Sequence, residues 1–178
     1  MKAERSLKSR ALQLLAQRDQ SRLELRRKLL RHARPSRVGI AAGGDGEVEI
    51  DPAAVAAEVD ALLDWLETNR FLSDARFAEA RVHARQARFG LARIRSELSQ
   101  HAVDLSPELG AALAASELDR AAAVRERRFA SPPASAAERA AQSRFLLGRG
   151  FAPELVQRLM RRLTQRGGGA ADFSDPDD

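Results

Sequence analysis

The chain of 178 residues contains no cysteine and no tyrosine, one tryptophan and seven phenylalanines. Without cysteine there are no disulfides and no thiolate metal ligands, and nothing marks an oxidising compartment. So few aromatic residues supply a poor platform for stacking bases of single-stranded nucleic acid, because most of the Phe are needed for packing. Lysine is scarce as well: of 30 basic residues 27 are Arg, leaving Lys2, Lys8 and Lys28. The apolar runs are short and full of Ala, far from the ~20 residues that a membrane span needs. The N-terminus, MKAERSLKSRALQLLAQRD, has no uninterrupted hydrophobic stretch and no cleavage signature, so a cytoplasmic protein is expected.

Catalytic signatures are lacking too. No HExxH, GxSxG or GxxxxGK[ST] pattern occurs, so the metalloprotease, serine-hydrolase and P-loop chemistries have no carrier. His32, His83 and His101 are far apart, and Gly43-Gly44-Asp45-Gly46 has no strand and helix around it to make a phosphate cradle. Carboxylates are scattered among arginines, where ion pairing is the plain reading. Neither a catalytic residue, a metal site nor a cofactor is expected.

What is present is charge. The formal net charge is +5, and four aspartates lie after Arg166 (Asp172, Asp175, Asp177, Asp178); without them 30 cations face 21 carboxylates, a net +9. Arg suits planar, bidentate contact with phosphate or carboxylate. A coding bias toward Arg and Ala explains Arg over Lys equally well, but not the positive balance.

The central stretch is 71–104, FLSDARFAEARVHARQARFGLARIRSELSQHAVD. Ser73 and Asp74 are good N-cap residues, and no Gly or Pro interrupts 75–88. At 100° per residue Ala75, Ala78, Val82 and Phe89 form the expected core face. Arg81, Arg85 and Arg88 border it, with Phe77 at the far edge of their strip. Gly90 breaks the helix, and a second carries Leu91, Ile94 and Leu98 inward, with Arg93 pointing away and Arg95 flanking. Ser106-Pro107-Glu108 opens a third.

The neighbours echo this unit. Residues 6–17 form a helix with Leu7, Ala11, Leu14 and Leu15 inward. Ser21 and Glu24 make a capping box for a helix with Leu25 and Leu29 inside and Arg22, Arg26, Arg27, Lys28 and Arg31 around them. At an offset of 69 residues Leu29 matches Leu98, Leu25 matches Ile94, Arg26 matches Arg95 and His32-Ala33 matches His101-Ala102. A glycine-rich loop over 34–50, in which 48–50 is long enough only for a brief strand pairing, precedes a helix that Asp51-Pro52 opens; it buries Val55, Val59, Leu62, Leu63 and Leu66 and carries Trp65 as a packing residue. A basic helix spans 116–129, with Arg120, Arg125, Arg127 and Arg128. After Ser131-Pro132-Pro133, a second capping box at Ser135 and Glu138 starts a helix ending in RFLLGRGF (144–151). Leu146 matches Leu98 at an offset of 48, and Gly150 takes the left-handed C-cap position. A last helix from Pro153 buries Leu155, Val156, Leu159, Met160 and Leu163. The fold expected is therefore all-α: a tandem array of three three-helix, helix-turn-helix-like repeats at 1–70, 71–115 and 116–166, elongated, with a disordered acidic tail at 167–178.

These stretches resemble the RecX family, bacterial regulators of the RecA recombinase. The resemblance rests on RDQSRLELRRKL (18–29), FLSDARFAEARVHARQARFGLARIRSEL (71–98) and RFLLGRGF (144–151), in that order and spacing, and covers about residues 6–164. Three departures stand out: Ala33 and Ala102 where such repeats commonly have a capping Gly, the long 34–50 insertion, and the acidic tail. The resemblance implies a modular, curved all-α protein, monomeric and non-enzymatic, lying in the groove of the RecA–DNA filament and limiting ATP hydrolysis, strand exchange and repressor cleavage. Its partner would be the RecA filament, with weaker contact to single- or double-stranded DNA through phosphates. The residues expected to carry that contact are Arg22, Arg26, Arg27, Lys28, Arg81, Arg85, Arg88, Arg93, Arg95, Arg144 and Arg149. The alternative is a stand-alone basic helical module that binds DNA by itself.

Overall fold

The computed structural model describes residues 6–33 and 51–168, with side chains to residue 165. The 34–50 loop and residues 169–178 of the acidic tail lie outside them, while Gly167 and Gly168, expected in the tail, end the last helix. Nine α-helices and no strand occur among the described residues: α1 (Leu7–Gln17), α2 (Arg22–Ala33), α3 (Pro52–Thr68), α4 (Asp74–Arg85), α5 (Leu91–Ser99), α6 (Pro107–Ala115), α7 (Glu117–Glu126), α8 (Ala136–Gly148) and α9 (Pro153–Gly168). The all-α expectation holds. The chain groups into two compact units, Met1–Ala80 with Gln100–Val103, and Arg81–Ser99 with Asp104–Asp178, so α4 contributes to both.

The helix starts follow their capping chemistry. Oγ of Ser6, Ser21, Ser106 and Ser135 accepts the amide three residues on, at 3.1–3.2 Å, and the Asp51 carboxylate accepts from Ala53 at 2.9 Å. Each satisfies an amide that has no partner inside its helix. The box at Ser135 closes, with Glu138 accepting from the Ala134 amide at 2.8 Å. The box at Ser21 does not close, because Glu24 is taken by Arg18 and Lys28.

In the first unit Ala11 and Leu14 of α1, Leu25 and Leu29 of α2, and Val59, Leu63 and Leu66 of α3 form one apolar core with Leu72. Leu7, Leu15 and Leu62 pack at its edge, half-buried. Gln20 is buried between α1 and α2 yet fully engaged: its Nε2 donates to Leu14 O at 2.8 Å and its Oε1 accepts Lys28 Nζ at 2.9 Å. Trp65 is not in this core. It lies beside the 59–63–66 stripe, 37% exposed, stacked on Phe71 at 5.7 Å with Lys8 Nζ 3.5 Å from its ring centre.

The central helix corrects two expectations. Ala75 is exposed and Phe77 is 2% exposed, its ring edge-on to His101 at 5.1 Å. Phe77 offers far more apolar area than a methyl group in the first turn, so it claims the buried side. In the second unit Ala121 and Val124 of α7, Leu146 of α8, Phe151, and Val156, Leu159 and Met160 of α9 make the core. Ile94, Leu98 and Leu113 are also buried.

Candidate functional site

Two groups of expected cations end up in very different surroundings. In the first unit α3 supplies carboxylates to α2. Arg22 reaches Asp64 at 2.7 Å and Glu67 at 2.6 Å, and Arg26 makes a bidentate pair with Asp60 at 2.6 and 2.9 Å. Burial opposes the Arg22 charge, but the two carboxylates raise its pKa above the ordinary guanidinium value; Asp60 does the same for Arg26, and is itself held below the usual carboxylate range. Lys28 is held by Glu24 and Gln20. Arg27 is exposed. Most of this group is thus neutralised within the fold.

The second unit gathers its cations around one ring. Phe89, half-buried after α4, has the guanidinium carbons of Arg93 at 4.8 Å, Arg149 at 5.6 Å, Arg85 at 5.7 Å and Arg88 at 5.8 Å from its centre. Arg149 lies also 4.8 Å from the Phe145 ring. The negative ring faces attract these cations and hold their planar forks in place without neutralising them. One carboxylate, Glu97, faces the group: Arg85 Nε is 3.0 Å and Arg93 Nε 3.6 Å from its oxygens, and its Oε2 is ion-paired to Arg85 without hydrogen-bond alignment. Four cations against one carboxylate leave a net excess of three.

Backbone geometry brings Arg149 there. The Gly90 amide donates to Arg149 O at 2.9 Å, and a Cβ on Gly90 would lie 2.2 Å from Gly150 O. Gly150 has φ +82, as its sequence position suggested, and a Cβ on it would lie 2.5 Å from the Arg93 Cβ. The two turns fit against each other only because both residues are glycine. Arg149 Nη1 also donates to Arg88 O at 3.4 Å.

The other expected residues disperse. Arg88 is not on the α4 strip with Arg81 and Arg85, because α4 ends at Arg85 and the chain turns through 86–88. Arg81 is half-buried. Arg95 is exposed and its guanidinium approaches Gly110 of α6, 3.6 Å from where a Cβ would stand. Arg144 is exposed on α8.

Sequence reasoning passed over two residues that build the site. Glu117 of α7 is buried and its Oε1 accepts the Leu91 amide at 2.8 Å, capping α5. Arg120, half-buried, donates to Gln86 O, Phe89 O and Leu113 O at 3.0, 2.9 and 2.8 Å, closing the end of α4. Burial draws its pKa below the ordinary value, while Glu117 opposes that shift. Arg125 is likewise buried, donating to Gln142 at 2.9 Å. A groove of about 910 Å³, lined by His83, Gln86, Ala87, Arg120, Ala123, Glu126 and Arg127, runs beside Arg120.

Such an array can bind phosphate or carboxylate groups through planar donors. It presents no nucleophile beside a base. No group of three or more His, Asp or Glu suited to a metal occurs among the described residues, and no described helix is long and apolar enough to cross a membrane.

Family models for RecX match two parts of the chain: the third three-helix domain over residues 115–160 and the second over 73–105. The chain is 47% identical to the regulatory protein RecX of Ralstonia nicotianae, over 88% of this chain and 87% of that protein. It is 44% identical to that of Ralstonia pickettii, over 87% and 86%. A more distant relative, the regulatory protein RecX of Serratia proteamaculans, is 38% identical over 89% of this chain and 98% of its own length.

Proposed function

Because this chain belongs to the RecX family, we propose that it is a non-enzymatic regulator of RecA that binds the RecA–DNA filament in its groove. There it restrains ATP hydrolysis, strand exchange and repressor cleavage, as a cytoplasmic monomer. We propose further that its three three-helix repeats, at 1–70, 71–115 and 116–166, bind side by side along the filament.

The observation that supports this reading best is the guanidinium cluster on Phe89. Four cations with one carboxylate between them suit a surface that presents both phosphates and acidic side chains. The neutralised arginines of the first unit play a structural part instead. DNA alone is a weak partner, held through phosphates.

Co-sedimentation with RecA filaments assembled on single-stranded DNA, across a salt series, tests the reading. The protein should pellet with filaments and retain a salt-tolerant fraction, since protein contacts survive where phosphate contacts fade. The double variant Arg88→Ala/Arg93→Ala should bind about tenfold more weakly with its helix content unchanged. Equal pelleting with naked DNA and with filaments, lost steeply as salt rises, would instead establish the stand-alone DNA-binding module.

A further inference from the structure

The first unit contains a concavity whose described lining is rich in cations. About 370 Å³ in volume, it is lined by Arg10 and Leu14 of α1 and by Lys28, Arg31 and His32 of α2. No carboxylate is among the described residues that line it. Lys28, Arg31 and His32 stand at positions i, i+3 and i+4, so α2 presents them on one side, and Arg10 approaches from α1.

Two sides of the same helix differ in how their charge is met. Arg22 and Arg26 each receive a carboxylate from α3 at 2.6–2.7 Å. Arg10 and Arg31 receive none among the described residues; Arg10 Nη1 donates to the neutral Gln13 side chain at 3.0 Å. Lys28 shares Glu24 with Arg18, which leaves the pocket positive. A place at the end of α2 favours Arg31 and His32 through the helix dipole, but that accounts neither for Arg10 nor for the concavity between them.

We infer that this pocket binds phosphate groups, with the guanidinium forks of Arg10 and Arg31 as the principal donors and Lys28 as a supporting charge. Its volume holds on the order of ten water-sized groups, which suits a short run of phosphates better than a single small anion. Two sources share that chemistry: the phosphodiester backbone of a nucleic acid, and a free oligophosphate such as tripolyphosphate or the tail of a nucleotide. The inference does not depend on the filament reading, and its test contains no RecA.

The full chain is titrated calorimetrically with inorganic tripolyphosphate and, separately, with a single-stranded homopolymeric oligonucleotide. The variants are Arg10→Gln/Arg31→Gln and, because Arg10 also bonds Gln13, Arg31→Gln alone. Arg139→Gln, an exposed residue of α8, is the control. Loss of charge-assisted donors should weaken binding about tenfold or more in the double variant and by a smaller factor in the single one. Arg139→Gln should match the parent, and far-ultraviolet circular dichroism should show all of them folded. A loss confined to one ligand identifies the source, and a loss for both identifies the phosphate chemistry they share. Failure of the parent to bind either ligand at millimolar concentration, or equal affinity in the folded double variant, would overturn the assignment.

Discussion

The amide of Gly90 donates to the carbonyl of Arg149 at 2.9 Å, tying the turn after α4 to the turn after α8. Neither turn tolerates a side chain there. Gly90→Ala would set a methyl 2.2 Å from Gly150 O, a backbone atom with no freedom to withdraw. A loss of about 3 kcal/mol or more is expected in urea unfolding. Gly148→Ala is the internal contrast, because nothing lies within 4 Å of its Cβ position; it should be neutral or stabilising by up to ~1 kcal/mol.

Ala102 has φ 54, so it holds the left-handed conformation of a helix-end glycine without being one. The departure from the family pattern is thus chemical and not conformational. Such a backbone costs about 1–2 kcal/mol for a residue with a Cβ, and glycine returns about 0.4–1 kcal/mol of that through a freer unfolded chain. Ala102→Gly should therefore stabilise by about 1 kcal/mol, raising the thermal midpoint by roughly 2–4 °C. An unchanged or lowered midpoint would contradict the strain argument.

Glu117 caps α5 through an acceptor oxygen, a role that needs no charge. Glu117→Ala leaves the Leu91 amide without its cap and should cost about 1–2 kcal/mol. Glu117→Gln keeps an oxygen in the same place and should recover most of that. If Gln proves as costly as Ala, the ionic interaction with neighbouring arginines is the larger part of its role.

Glu24 predicts an acid-side transition. Burial opposes its charge, but hydrogen bonds and attraction from Arg18 and Lys28 prevail and hold its pKa at about 2. A carboxylate with a depressed folded pKa stabilises the fold fully above its unfolded value, near 4.5. That contribution disappears as pH falls toward 2. Arg18 is about half exposed, so the effect is on the order of 1 kcal/mol. Denaturation midpoints of the parent should fall between pH 5 and pH 2 by more than those of Glu24→Gln. Parallel pH profiles would refute it.

The sequence made the helices legible and half of the site obscure. Leu29, Leu98 and Leu146 sit at matched repeat positions, and each is fully buried, because apolar spacing along a helix is a local property. Arg26 and Arg95 also match, yet Arg26 pairs with Asp60 while Arg95 is exposed. Their difference depends on carboxylates of α3, a helix far along the chain. Arg120 read only as one charge of a basic helix and Glu117 carried no signal of its own; their burial follows from helix ends that only the fold brings to them. Phe89 read as a core residue; the arginines that sheathe it come from α4, α5 and the turn after α8.

The most direct test of the regulatory reading is inhibition of DNA-dependent ATP hydrolysis by RecA, titrated with this protein at fixed filament concentration. A regulator that contacts several protomers along the groove should suppress hydrolysis at well under one molecule per RecA protomer, and Arg88→Ala/Arg93→Ala should shift the curve to about tenfold higher concentration. Unchanged hydrolysis at equimolar protein would contradict the account.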